Sequence, residues 1–256
     1  MLIYIVFLFI TIILLAFVFY NVQYFMIFTP TYKRAEELDR SCEILSITAK
    51  DGAELEGVCY TPNEPKATLL FFAGRSHDSV GLISKLSQTY PEYRIISFNY
   101  RSYGRSEGKI TEKLLYSDAL EIATLVQKHY GDFYLLGFSL GSAIVSYVAQ
   151  TKSSKGLFLV GAFDSIASLV QTKYKLSLSK ILRYNFDTLS YVKNIETKTY
   201  LFASKSDKIT YYQNALNLSK NIKNLVEFIV IEDVTHQDLL WHDEVIKTIK
   251  KVVNDG

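Results

Sequence analysis

The sequence predicts an α/β protein built on a mostly parallel, doubly wound sheet with helices on both faces. Short continuous apolar runs recur along the chain, as strands buried on both faces require. Stretches with helical spacing separate them, and a β-α alternation of that kind builds a parallel sheet. An alternating segment ahead of the first run, EILSITAKDGAELEGVCYTP (43–62), adds an antiparallel hairpin turning at Asp51-Gly52.

The elements follow in order. ATLLFFAG (67–74) reads as a strand and SVGLISKLSQTY (79–90) as a helix. RIISFNY (94–100) is a strand, and TEKLLYSDALEIATLVQKHY (111–130) is a helix with Thr111 as its N-cap. DFYLLGF (132–138) is a strand, followed by a small-residue helix from Leu140 to about Gln150. GLFLVGA (156–162) is a strand, and an irregular stretch is expected up to about residue 195. TYLFAS (199–204) and EFIVIE (227–232) complete the strands, and a closing helix takes in LLWHDEVIKTIKKVV (239–253).

Ahead of this pattern, fifteen of the first twenty residues are Leu, Ile, Val or Phe, and the first charged side chain is Lys33. About 20 apolar residues span a bilayer's hydrocarbon core. The run lacks the basic start and A-x-A-like site of a cleaved signal peptide. It reads as an uncleaved, single-pass transmembrane anchor over residues 1–30. Lys33, Arg34 and Arg40 follow the span, among Glu36, Glu37 and Asp39, and nothing basic but the amino terminus precedes it. The positive-inside rule then places the following domain in the cytoplasm.

The 256 residues carry a net charge of +2, with no Lys/Arg block, which excludes nucleic acid as the expected partner. The simplest hairpin register pairs position 50 with 53. Cys42 then faces Thr61 and Cys59 faces Ile44, a diagonal of about 7–8 Å that is too long for easy bridging. Two free thiols are expected, with a lean towards a reducing compartment.

LLGFSLGSA (135–143) places Ser139 between Gly137 and Gly141, directly after an apolar run and before a helix. In G-x-S-x-G the serine occupies a sharp strand-to-helix turn whose flanking positions are too close to backbone for large side chains. Such a serine is exposed at the carboxyl end of the sheet, where a helix N-terminus favours developing negative charge. A nucleophilic serine needs a base and a group to orient it, in the chain order Ser, Asp or Glu, His. His236, just beyond the last strand, is the expected base, whereas His242 falls inside the closing helix. Asp207, after the strand at 199–204, is the expected acid, with Asp164 after the preceding strand as the alternative. Oxyanion donors are expected from the N–H of Leu140 and of Arg75, or of Gly74 in place of Arg75. His77-Asp78 offers two adjacent ligand types without others nearby, so no metal is expected, and the chemistry calls for no cofactor.

GFSLGS, NYRSYGRSEGK (99–109) and the order Ser139, Asp207, His236 resemble the α/β-hydrolase superfamily. More narrowly, the chain is similar to membrane-anchored serine hydrolases related to serine aminopeptidase-like hydrolases and protein depalmitoylases. Those carry a signal anchor and then an F-x-x-P segment, approximated here by Phe28-Thr29-Pro30. The resemblance implies an α/β-hydrolase domain over residues 31–256, with a small cap from Ser165 to Phe186. That stretch carries Lys173, Lys175, Lys180 and Arg183 and no acidic residue. It also implies a serine hydrolase cleaving esters or thioesters of small-molecule or lipid-like acyl substrates. The loop Ala73-Gly74-Arg75, where relatives read like His-Gly-Asn, and Val234, where many have glycine, depart from the pattern. They support the alternative of a catalytically silent, membrane-tethered binding module.

Overall fold

A computed structural model describes residues 1–33 and 40–256. Arg34, Glu36, Glu37 and Asp39, which entered the orientation argument, lie outside the described residues.

Helix α1 (Leu2–Ile27) is apolar on every side and precedes the sheet. The strands are β1 (Cys42–Thr48), β2 (Glu54–Tyr60), β3 (Ala67–Phe72), β4 (Tyr93–Phe98), β5 (Tyr134–Phe138), β6 (Leu157–Val160), β7 (Thr199–Ser204) and β8 (Leu225–Ile231). They form one sheet in the order β1-β2-β4-β3-β5-β6-β7-β8. β1 and β2 are antiparallel to their neighbours, and every pairing from β4 to β8 is parallel.

Helices cover both faces. α3 (Glu112–Tyr130) and α4 (Leu140–Ala149) pack on one, with Leu70, Phe72, Leu135 and Leu159. α2 (Ser79–Thr89) and the closing α9 (Asp243–Asp255) pack on the other, with Leu69, Phe71, Leu136 and Phe158. Successive residues of β3 thus supply two separate cores, as the strand period of two requires. Spacing selects the helix faces: Leu115, Ala119, Ile122 and Val126 of α3 and Val245, Ile249 and Val253 of α9 are buried. Thr111 caps α3, its Oγ1 accepting from the Leu114 N–H at 3.2 Å.

The topology also makes a cleft. The chain leaves β3 for α2 on one face and leaves the neighbouring β5 for α4 on the other. Loops that part to opposite faces open a crevice at the strand carboxyl ends, where ligands bind in such sheets.

Four expectations are corrected. The hairpin pairs Thr48 with Glu54, so Cys42 faces Tyr60 and Cys59 faces Glu43. Ala49 N–H donates to Ala53 O and Gly52 takes φ +87°, which inserts one more residue into the turn than the two-residue form. The two cysteines therefore point to opposite faces of the sheet, and neither forms a disulfide. The stretch expected to be irregular contains α5 (Ile166–Tyr174) and α6 (Thr188–Val192). A further helix, α7 (Tyr212–Ser219), was not expected. The closing helix is divided, because α8 (His236–Leu239) ends before α9 begins. His242 sits between them as the N-cap of α9, its Nδ1 accepting from the Glu244 N–H at 3.3 Å.

Candidate active site

The turn between β5 and α4 is fixed by contacts that tolerate no side chain at its glycines. A Cβ on Gly141 would lie 1.9 Å from the Phe72 carbonyl oxygen, and one on Gly137 would lie 2.6 Å from the Gly141 carbonyl oxygen. Ser139 is held at φ 54°, ψ −117°, a conformation rare for a residue with a side chain. Its N–H donates to Val160 O at 2.9 Å, and the Ser142 hydroxyl donates to Gly137 O and Val160 O. The turn is thereby tied to β6 on one side and jammed against β3 on the other.

This strained turn aims the Ser139 hydroxyl at His236. The two are 2.9 Å apart, Oγ to Nε2. His236 Nδ1 is 2.6 Å from Asp207 Oδ2. Ser139 and His236 are nearly buried, at 7% and 9% exposure, and Asp207 at 5%. The His236 ring stacks on Phe138 with centroids 5.0 Å apart, and Gly161 (φ 58°) leaves its other edge room. A carboxylate on Nδ1 fixes the tautomer that turns a bare Nε2 towards the hydroxyl.

Thr210, which sequence reasoning did not single out, holds the carboxylate. Its hydroxyl donates to Asp207 Oδ2 at 2.7 Å and its N–H to Oδ1 at 2.9 Å, while the Ile209 N–H also donates to Oδ1. The D-x-x-T spacing in SDKIT was its available signal. Burial pushes the Asp207 carboxyl up, but the hydrogen bond and charge of His236, with the bonds from Thr210, hold it below its ordinary value.

The alternative acid, Asp164, is engaged elsewhere. It accepts from the Ser165 N–H, the Ser168 hydroxyl, Asn214 and Asn217, tying α5 to α7. None of these contacts involves His236. Val234 needs no glycine-like backbone, because its φ is not positive, and its carbonyl accepts from Ser204.

Leu140 opens α4, and Arg75 lies in the loop after β3. Among the described residues no protein acceptor takes the N–H of either. Gly74 is buried between His77 and Phe138, and its carbonyl accepts from the His77 N–H. The loop's position is fixed from behind by the segment NYRSYGRSEGK. Asn99 donates to Asp78 and Glu56 and accepts from the Ser79 N–H, and Tyr103 donates to the Arg75 carbonyl. Asp78 caps α2 and accepts from the Lys33 N–H, so its oxygens serve structure. Among the described residues no cluster of metal-ligating side chains is present. His77 is half-buried with Nδ1 unpartnered. Burial above all lowers its pKa, and the charges of His236 and Lys33 add to the fall.

Two cavities meet at Ser139. One of about 200 Å³ is walled largely by apolar side chains, among them Met26, Ile27, Phe163 and Leu169. The other, about 70 Å³, lies against His77, His236 and Gln237. A serine at their junction can present a scissile bond with an apolar group on one side and a small polar group on the other.

Comparison with known proteins agrees with this architecture. Residues 69–180 match the family model for the alpha/beta hydrolase fold. An uncharacterized protein of Acanthamoeba polyphaga mimivirus is 26% identical, covering 82% of this chain and 81% of its own length. Alpha/beta hydrolase domain-containing protein 17B of Homo sapiens is 24% identical, covering 76% of this chain and 68% of its own. The esterase Pf2001 of Pyrococcus furiosus superposes with a TM-score of 0.66 at 16% identity, covering 89% of this chain and 98% of that one. With its eight-stranded sheet, its serine turn and these matches, the chain has the α/β-hydrolase fold.

Proposed function

We propose that this chain is a membrane-anchored serine hydrolase that cleaves carboxylic ester or thioester bonds of acyl substrates. The observation that carries the reading is the chain of contacts from Asp207 through His236 to Ser139, at 2.6 and 2.9 Å. His236 Nε2 takes the hydroxyl proton as Ser139 Oγ attacks the substrate carbonyl carbon. The N–H groups of Leu140 and Arg75 receive the oxyanion of the tetrahedral intermediate, each such donor contributing on the order of 3 kcal/mol. The intermediate collapses as His236 returns the proton to the leaving alcohol or thiol. Water, deprotonated by the same imidazole, then attacks the acyl-serine and releases a carboxylic acid. Asp207 holds the tautomer and stabilises the imidazolium throughout. No step calls for a metal or cofactor.

Anchoring is supported by α1, whose residues 2–22 extend about 31 Å with no buried side chain, close to the roughly 30 Å hydrocarbon core of a bilayer. Lys33, Arg34 and Arg40 favour the cytoplasmic side for the domain.

The test is labelling of the full-length, detergent-solubilised protein with a fluorophosphonate. Wild type should label, and Ser139→Ala and His236→Ala should not. A folded wild type that takes no label would leave the silent binding module, which the departure at Arg75 favours, as the better account.

A further inference from the structure

The end of α1 is built into the domain. Gln23 and Ile27 are its buried residues. Gln23 donates to the Ile181 carbonyl at 3.3 Å and accepts from the Arg183 N–H at 2.6 Å, and the Arg183 guanidinium lies 4.5 Å over the Tyr20 ring. From the opposite side, the Arg75 guanidinium donates to the Met26 carbonyl. Phe28 is buried against Tyr184 and Phe186. The last turn is thus clamped between the cap and the loop after β3, the loop that carries a proposed oxyanion donor.

That turn is also a wall. Met26 and Ile27 line the cavity at Ser139, together with Phe163, Leu169 and Val170. If residues 2–22 occupy the hydrocarbon core, this wall lies about one helical turn beyond it. Beside it the cap exposes Leu176 and Ile181 among Lys173, Lys175 and Lys180, the composition of a surface resting at a lipid headgroup layer.

We propose that the last turn of the membrane helix forms one side of the acyl-binding channel, so that the substrate's hydrocarbon chain passes from the leaflet along Met26 and Ile27 to Ser139. The proposal rests on the hydrolase reading for its bond-cleaving step. Met26 is then a specificity-determining residue, and the anchor is part of the site as well as its tether.

The experiment uses full-length protein in detergent micelles and 4-nitrophenyl esters from acetate to palmitate. Met26 is half-exposed, so Met26→Trp adds bulk at the wall with little cost to the core. The ratio of long-chain to acetate kcat/KM should fall about ten-fold, and Met26→Leu should restore it. Loss of the same size at every chain length, or no change in the ratio, overturns the proposal. Leu169→Trp, on the facing wall, makes the same measurement should Met26→Trp not fold. A diazirine-bearing fatty acid supplies a readout free of catalysis: it should cross-link to α5 in wild type and much less in Met26→Trp. Undiminished cross-linking to α5 in the variant also overturns it. A wild type that hydrolyses no ester, yet cross-links in this way, would retire the hydrolase reading and leave the channel standing.

Discussion

The Ser139 turn and the junction of α1 with the cap border the same cavity but are built by different means. At the turn, the constraints come from the sheet and the helix that leaves it: Gly141 jammed against β3, Gly137 against the first turns of α4, a serine N–H tied to β6, an acid at the end of β7. At the junction, pieces from residues 20–28, 75 and 163–186 meet through a few long side chains, and α5 has no fully buried residue. The first region is rigid because close-packed strands leave it no alternative. The second is held by contacts that can be exchanged singly, and so, on the channel proposed above, it is where chain-length preference can be tuned without disturbing Ser139.

Breaking the rigid region should have the largest effects. Asp207→Asn should lower kcat about 10⁴-fold, since the amide favours the wrong imidazole tautomer. A fall of only a few-fold in acyl-ester turnover would mean that another group orients His236. The same variant has a second readout. Because the Asp207 carboxyl is lowered on folding, it contributes stability above its unfolded pKa of 3.8, lost as pH falls through the lower folded value. Asp207→Asn should flatten the acid limb of Tm against pH, and an unchanged limb would place that linkage on other carboxyls.

Gly141→Ala forces a methyl into the Phe72 carbonyl, backbone against backbone, and should destabilise the domain by about 3 kcal/mol or more in denaturant unfolding. A loss under about 1 kcal/mol would show that the turn can relax, against the rigidity argued here. Thr210→Val removes one of the bonds steadying Asp207, and roughly ten-fold lower kcat with little change in KM is expected. The smallest effect belongs to the junction. Replacing Lys175 by Gln should reduce binding to vesicles containing anionic lipid by a few-fold, about 1 kcal/mol at most for the one charge, and only at low salt. Equal binding to neutral and anionic vesicles before and after would remove the cap from the membrane surface.

The same contrast explains what the sequence disclosed. The serine turn was legible because two glycines four positions apart bracket a serine between a strand and a helix, all within one short segment. Its partners were legible from chain order, and the structure brings Ser139, Asp207 and His236 together while engaging Asp164 elsewhere. Helix α7 was invisible, since its N-cap is Tyr211, which offers no capping side chain. α5 lacked a buried stripe to betray its period. The division before α9 was signalled by acidic residues at Asp243 and Glu244, which belong to a first turn rather than to a helix interior. The hairpin register failed by one residue because Asp-Gly fits both the two-residue turn and the longer turn found here. No local pattern could show that Met26 and Ile27 touch the serine's cavity, because, Arg75 apart, the residues that share it lie more than a hundred positions away along the chain.

The 97 positions between Ser139 and His236 have a consequence for the newborn chain. Synthesis at about 5–20 residues per second delivers α1 first, the serine next and the histidine roughly 5–20 s after the serine. Through that interval the hydroxyl has no base and is an ordinary alcohol. On the reading given above, the ribosome releases the protein into a lipid environment already inserted but chemically quiet, and its reactivity switches on only when the last strand and the loop behind it have docked.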